Sequence, residues 1–179
     1  MKFMIIENQG GDLDLLIFFL SQCYPDCEIV PEKGRIITKW SEAEALIGAK
    51  AANDAEQIIF LDLALDTDAP YEASAGLRHV TNIFAHCPKA TWIAYTTFSD
   101  ILAGNDAKTR FHGILPKQQL ESRGPDEEKK WLIRSVIEDA VRKRQGSLTT
   151  KPIEHEDSAG MRSFFAIYPK YVLDWLTAT

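Results

Sequence analysis

Short apolar runs alternate along the chain with longer segments in which apolar residues recur every three or four positions, a pattern that predicts strands alternating with helices. The predicted strands are KFMII (2–6), two short pieces within CEIVPEKGRIITKW (27–40), QIIFLDLAL (57–65), ATWIAYTTF (90–98) and HGILPK (112–117). The predicted helices are DLDLLIFFLSQCY (12–24), EAEALIGAKAA (42–52), YEASAGLRHVTNIFAHC (71–87), a short one after Ser99, and DEEKKWLIRSVIEDAVRKRQG (126–146). Such alternation predicts a parallel sheet with helices on both faces.

Residues that start and stop helices support these boundaries. Ser41 precedes the second predicted helix and Glu44 follows three residues later, which predicts a capping box. The last helix has acids at 126–128 in its first turn and bases at 142–144 in its last, as the helix dipole favours. Gly146 is suited to end that helix.

The composition fits one domain and argues against two classes of partner. Of the 179 residues, 45% are hydrophobic, which suffices for the core of one domain with an appendage. The formal net charge is −6 with both signs interspersed, so the chain is not expected to bind nucleic acid by neutralising phosphates. The longest apolar run, residues 13–20, is interrupted by Asp14 and is too short to span a bilayer. We predict no nucleic-acid partner and no membrane partner.

The cysteines predict a reducing compartment. Cys23, Cys27 and Cys87 are odd in number and form no C-x-x-C pair, which is typical of free thiols in a cytosol. A metal site at Cys23 and Cys27 would need further ligands from elsewhere, and free cysteine usually packs as a small apolar residue. The first residues, MKFMIIENQ, lack a small-residue cleavage site and turn polar at Glu7, unlike a signal peptide. The predicted location is cytoplasmic.

Composition divides the chain into three parts. Residues 1–146 contain the alternating elements, and 147–160, SLTTKPIEHEDSAG, predict a polar linker. Residues 161–179, MRSFFAIYPKYVLDWLTAT, form an aromatic-rich C-terminal extension in which Pro169 suits the first turn of a helix. Because an exposed aromatic cluster is unfavourable on a monomer, this extension is expected to fold onto the domain, pack across a dimer or begin an output domain.

Polar side chains end the predicted strands. In a parallel sheet the carboxyl ends of the strands lie at one edge, where ligands bind at the switch in strand order. We therefore expect one pocket to collect the following residues: Glu7 and Asn8 after the first strand, Asp62 after the third, Thr96 and Thr97 after the fourth, and Lys117 after the fifth.

With IIENQ, FLDLAL, YTTF and ILPKQ in this order, the chain resembles the receiver domain of bacterial two-component response regulators over about residues 1–146. AGLRHV is similar to the glycine-led start of that family's third helix. The resemblance implies a flavodoxin-like (βα)5 fold, a doubly wound parallel sheet with strand order 2-1-3-4-5, followed here by the C-terminal extension.

The resemblance also implies roles at the predicted pocket. Asp62 would accept a phosphoryl group from a sensor histidine kinase or a phosphotransfer protein, Thr96 would supply the switch hydroxyl, and Lys117 would contact the phosphoryl group and the carboxylate. The output would be binding to a downstream protein target, with homodimer formation as a further expectation. The chain would not be an enzyme beyond Mg²⁺-dependent self-phosphorylation and autodephosphorylation.

The cofactor that the resemblance implies is Mg²⁺, held by Glu7, Asn8, Asp62 and the backbone carbonyl of Ala64. The family has a second acid where this chain has the neutral Asn8. Because Mg²⁺ prefers charged oxygen ligands, we expect weaker metal binding.

Other departures leave alternatives open. The segment DTDAPYEASAG (66–76) is longer than in the family, and the aromatic residue three positions before Lys117 is replaced by Ile114, so that Tyr95 or Phe98 would have to serve instead. A degenerate receiver that binds a protein without phosphorylation is one alternative. A haloacid-dehalogenase-type phosphohydrolase using Asp66 and Asp68 is a more distant one.

Overall fold

The computed structural model describes residues 1–31, 35–50, 57–65, 73–97 and 111–148. Numbered over these residues, the strands are β1 (Lys2–Ile6), β2 (Glu28–Val30), β3 (Gln57–Leu61), β4 (Thr91–Thr96) and β5 (Gly113–Pro116). The helices are α1 (Gly10–Cys23), α2 (Trp40–Lys50), α3 (Ala73–His86), α4 (Lys117–Glu121) and α5 (Asp126–Leu148). The predicted helix after Ser99 and residues 149–179 lie outside the described residues, so the division into domain, linker and extension stays a prediction.

The five strands form one parallel sheet in the order β2-β1-β3-β4-β5, which confirms the predicted flavodoxin-like topology. Ile6 pairs with Leu61, and Leu61 pairs with Ala94. Thr96 pairs with Pro116 at the last register position of β4 and β5. The carboxyl ends of β1, β3, β4 and β5 therefore lie along one edge.

Alternate strand positions feed two cores, one on each face of the sheet. Met4 and Ile6 pack with apolar residues of α2 and α3, whereas Phe3 and Ile5 pack with those of α1 and α5. Every residue of β3 and β4 is buried. Two covered faces explain why these strands read as continuous apolar runs.

A close approach between β5 and α5 depends on Gly113. A Cβ atom on this residue would lie 3.2 Å from Ala140 Cβ and 3.3 Å from Val136 Cγ1. These distances are shorter than ordinary van der Waals contact, so the absence of a side chain lets the helix pack directly on the strand.

Several predicted boundaries differ from the structure. The helix α2 begins at Trp40, so Ser41 lies inside the helix and not at its N-cap. At this helix start the Glu42 side chain accepts a hydrogen bond from the Thr38 N–H at 3.3 Å. Of the two short pieces predicted in 27–40, the first forms β2, and the described residues of the second, 35–39, contain no strand. The helix α5 continues two residues past Gly146, a displacement within the usual fraying of helix ends.

Candidate functional site

The residues predicted to share a pocket follow or end their strands in the structure. Glu7 follows β1, Asp62 follows β3, Thr96 ends β4, and Lys117 follows β5 as the first residue of α4. Their exposed fractions are 0%, 2%, 0% and 3%. Four polar residues buried at one sheet edge need partners within the protein.

The ammonium group of Lys117 is the centre of this pocket. Its Nζ atom lies 2.7 Å from Glu7 Oε2, 2.9 Å from Asp12 Oδ2 and 3.0 Å from Asp62 Oδ2. The structure thus brings together three of the predicted residues, Glu7, Asp62 and Lys117. It adds Asp12, an α1 residue that the strand-end pattern does not predict.

The packing of three carboxylates around one buried ammonium changes the pKa values of Lys117 and Glu7. Burial by itself lowers the pKa of Lys117, but the charges of Asp62 and Glu7 outweigh burial and hold that pKa above its usual range. Burial, reinforced by the charge of Asp62 and opposed by Lys117, raises the pKa of Glu7 to about 7. Lys117 therefore stays charged, and Glu7 takes up a proton more readily than a glutamate in water does.

Hydrogen bonds fix the loops that carry these groups. The Oδ1 atom of Asp62 accepts a bond from the Ala64 N–H at 3.2 Å. The Nδ2 atom of Asn8 donates to the Ala64 carbonyl at 3.0 Å. The Gln9 N–H donates to Glu7 Oε1 at 2.9 Å. The loops after β1 and β3 are thereby joined through Ala64.

The two threonines at the end of β4 differ in environment. Thr96 is buried and Thr97 is exposed. Thr96 pairs with Pro116, the residue before Lys117, so the fold places it at the same edge as the charged cluster. Its role as switch hydroxyl stays a prediction.

Tyr95 lies beside the cluster, while Ile114 packs against the apolar core. The Tyr95 hydroxyl donates to the Asp12 carbonyl at 3.2 Å, and its ring centroid lies 5.3 Å from Lys117 Nζ. Burial, with the nearby charge of Asp12, raises the pKa of Tyr95. The other predicted substitute aromatic, Phe98, lies outside the described residues, as do Asp66 and Asp68.

The predicted Mg²⁺ ligands do not fit this cation as they are arranged. The Ala64 carbonyl already accepts the Asn8 amide, and one oxygen each of Glu7 and Asp62 contacts Lys117. Mg²⁺ requires oxygens at about 2.0–2.1 Å, whereas these carboxylate oxygens surround an ammonium at 2.7–3.0 Å.

Two predicted ligand atoms, Asn8 Oδ1 and Glu7 Oε2, are buried and accept no hydrogen bond within the described part of the chain, although Glu7 Oε2 lies 2.7 Å from the Lys117 ammonium. Asn8 Oδ1 is neutral and Glu7 Oε2 faces an ammonium, so neither offers Mg²⁺ the unoccupied charged oxygen that it prefers. Among the described residues, no three His, Cys, Asp or Glu side chains are placed to hold a metal ion. Cys23, Cys27 and Cys87 form no disulfide.

No protein-family model and no curated protein matches the chain. Several solved structures are similar to this chain. One is the N-terminal domain of a response regulator/sensory box/GGDEF three-domain protein from Carboxydothermus hydrogenoformans, which matches with a TM-score of 0.54 and 12% identity, covering 83% of this chain and 100% of that chain. A response regulator receiver domain protein from Clostridium thermocellum matches with a TM-score of 0.52 and 15% identity, covering 83% and 98%. The bacteriophytochrome response regulator RtBRR matches with a TM-score of 0.52 and 15% identity, covering 92% and 90%. At these identities the likeness establishes the receiver fold.

Within the described ranges, no helix combines the length and the apolar character that crossing a bilayer requires.

Proposed function

We propose that this chain is a signalling receiver that accepts a phosphoryl group on Asp62 and thereby changes its binding to a protein partner. The observation that supports the proposal is the contact of 3.0 Å between Lys117 Nζ and Asp62 Oδ2 in a buried pocket at the sheet edge. The donor would be the phosphohistidine of a sensor histidine kinase or of a phosphotransfer protein. Apart from reactions on its own aspartate, the chain would act by binding and not as an enzyme.

The proposed transfer is a nucleophilic substitution at phosphorus. A carboxylate oxygen of Asp62 forms the new P–O bond while the P–N bond to the donor imidazole breaks, and the imidazole nitrogen keeps the electron pair and takes up a proton. Lys117 contacts the Asp62 carboxylate at 3.0 Å before transfer and would compensate charge on the phosphoryl oxygens afterwards.

The added group changes the charge balance of the pocket. A phosphoryl group carries about −1.5 to −2 charges near neutral pH, and it would be placed against Glu7 and Asp12, which already share Lys117 with Asp62. Repulsion in a buried site favours a rearrangement of the surrounding loops. Thr96 is the hydroxyl proposed to bond the phosphoryl oxygens and to draw the end of β4 inward.

The test is phosphorylation by a small-molecule donor. The wild-type protein and Asp62→Asn are incubated with acetyl phosphate, with and without Mg²⁺, and intact mass is measured. The expected result is the mass gain of one phosphoryl group in the wild type and none in Asp62→Asn. A wild-type protein that stays unmodified with and without Mg²⁺ would rule out the proposal.

A second candidate is a degenerate receiver that binds its partner without phosphorylation. The Asn8–Ala64 hydrogen bond and the burial of Asp62 favour it, because both keep the pocket closed. Partner binding that is unchanged in Asp62→Asn would support this second candidate over the first.

A further inference from the structure

We infer that Asn8 and Lys117 together replace a divalent cation, so that the resting pocket is held together without metal and does not respond to Mg²⁺. The inference concerns the pocket of the proposed function but does not depend on phosphorylation of Asp62. It follows from two sets of contacts, one made by an amide and one by an ammonium.

The Asn8 amide joins two loops that a shared cation could otherwise join. Its Nδ2 donates to the Ala64 carbonyl at 3.0 Å, which links the segment after β1 to the segment after β3. The opposite orientation of the amide would place Asn8 Oδ1 against the Ala64 carbonyl, two acceptors facing each other. The donor therefore faces Ala64, and the carbonyl predicted to bind a metal is engaged by a neutral N–H.

The Lys117 ammonium supplies the positive charge. An ammonium has three N–H donors, and three carboxylate oxygens, from Glu7, Asp12 and Asp62, lie within 3.0 Å of Nζ. The carboxylates come from the loop after β1, from α1 and from the loop after β3. A divalent cation that bound these same three oxygens at about 2.0–2.1 Å would have to displace the ammonium from its place among them.

The inference predicts that one substitution converts the pocket to metal dependence. In Asn8→Asp a carboxylate faces the Ala64 carbonyl and becomes the fourth carboxylate of the pocket, so the variant should be less stable than the wild type in EDTA. A divalent cation can bridge the new carboxylate and the carbonyl, so Mg²⁺ should restore stability. Asn8→Ala is the matched control, because it removes the bond to Ala64 without adding a ligand.

The measurements are thermal unfolding in EDTA and in Mg²⁺, and Mn²⁺ binding followed by electron paramagnetic resonance. We expect Tm of the wild type and of Asn8→Ala to change by less than about 1 °C with Mg²⁺, and Tm of Asn8→Asp to rise by about 5 °C or more once the cation is well above its Kd. Mn²⁺ should bind Asn8→Asp at least about tenfold more tightly than the wild type, a difference of about 1.4 kcal/mol.

Three results would overturn the inference. The first is that the wild type binds Mn²⁺ or Mg²⁺ as tightly as Asn8→Asp does. The second is that Asn8→Asp folds but binds Mn²⁺ no more tightly than the wild type. The third is that Asn8→Ala gains as much Mn²⁺ affinity as Asn8→Asp. If Asn8→Asp does not fold, isothermal titration of Mg²⁺ into the wild type is the deciding measurement. A Kd below about 1 mM would contradict a pocket closed without metal, and no measurable binding would support it. Acetyl phosphate labelling is scored separately, so tight Mg²⁺ binding with labelling of Asp62 would remove this inference and keep the proposed function.

Discussion

The indole N–H of Trp40 donates a hydrogen bond to the Leu65 carbonyl at 3.1 Å, which joins α2 to the segment that begins at Asp62. The same indole ring stacks on His79 of α3, with ring centroids 5.1 Å apart and an interplanar angle of 5°. Trp40 is 3% exposed. This side chain therefore connects two helices of one sheet face to the loop after β3.

Replacing Trp40 with Phe should destabilise the domain, because the buried Leu65 carbonyl loses its donor and the smaller ring leaves unfilled space. We expect the free energy of unfolding to fall by about 2–4 kcal/mol, measured by urea denaturation. Trp131→Phe is the control, since Trp131 is 46% exposed and its replacement should change stability by less than about 0.5 kcal/mol. Equal effects of the two substitutions would contradict the importance of the Trp40–Leu65 bond.

Lys117→Met should leave three carboxylates without their counterion. The expected loss of folding free energy is about 3–5 kcal/mol at pH 8, and part of it should return as the pH falls and Glu7, whose pKa is raised to about 7, takes up a proton. Urea unfolding at pH 8 and pH 5 measures both effects. Lys2→Met is the control, because Lys2 forms an exposed ion pair with Glu28 at 3.7 Å and its removal should cost at most about 1 kcal/mol. A Lys117→Met protein as stable at pH 8 as the wild type would show that the buried cluster needs no cation.

His112 should make the free energy of unfolding decrease as the pH falls below about 6.5. Its Nδ1 accepts the Trp92 N–H at 3.0 Å, which requires a neutral ring, and burial lowers the pKa of His112. The folded state binds a proton on His112 less readily than the unfolded state does. The contribution of the neutral His112 ring to the free energy of unfolding is therefore present above about pH 6.5 and decreases as the pH falls below that value. His112→Asn keeps an acceptor that does not titrate, so it should flatten the decline in the urea midpoint. His86→Asn, at an exposed position, should leave the decline unchanged, and an unaltered profile in His112→Asn would contradict the assignment.

Two glycine-to-alanine substitutions should change the free energy of unfolding in opposite directions. Gly113→Ala places a Cβ atom 3.2 Å from Ala140 Cβ and should destabilise the domain by about 1–3 kcal/mol. Gly48→Ala, inside α2 with no atom beyond its chain neighbours and the local helix backbone within 4 Å of the new Cβ, should stabilise it by about 0.5–1 kcal/mol. Thermal unfolding of the two variants provides the measurement. Val136→Ala combined with Gly113→Ala should recover part of the loss if crowding is its cause.

Hydrophobic periodicity predicted a parallel sheet and the strands β1, β3, β4 and β5, whereas the strand order was implied by the resemblance and the three-residue strand β2 was left open within 27–40. The sheet edge followed from the same argument, since Glu7, Asp62 and Lys117 directly follow strands whose carboxyl ends must coincide. The helices α1, α3 and α5 were also predictable, with boundaries a few residues from those observed.

Asp12 was harder to assign to the pocket because its position depends on tertiary packing. It lies in the first turn of α1, and α1 covers the sheet face to which Phe3 and Ile5 contribute. Glu7 continues that alternation, so a face-by-face analysis of the strands could have indicated Asp12. The five-residue helix α4 has no comparable signal, because it is too short to show helical periodicity.

The enclosed amine of Lys117 provides a chemical footprint of pocket opening. Acylating reagents attack only an amine that is both deprotonated and accessible, and this amine is 3% exposed with its pKa held above the usual range. Peptide mapping after brief acylation should therefore find Lys117 unlabelled while surface lysines such as Lys2 are labelled. Any ligand, modification or partner that withdraws the three acids from it would become visible as labelling at this one position.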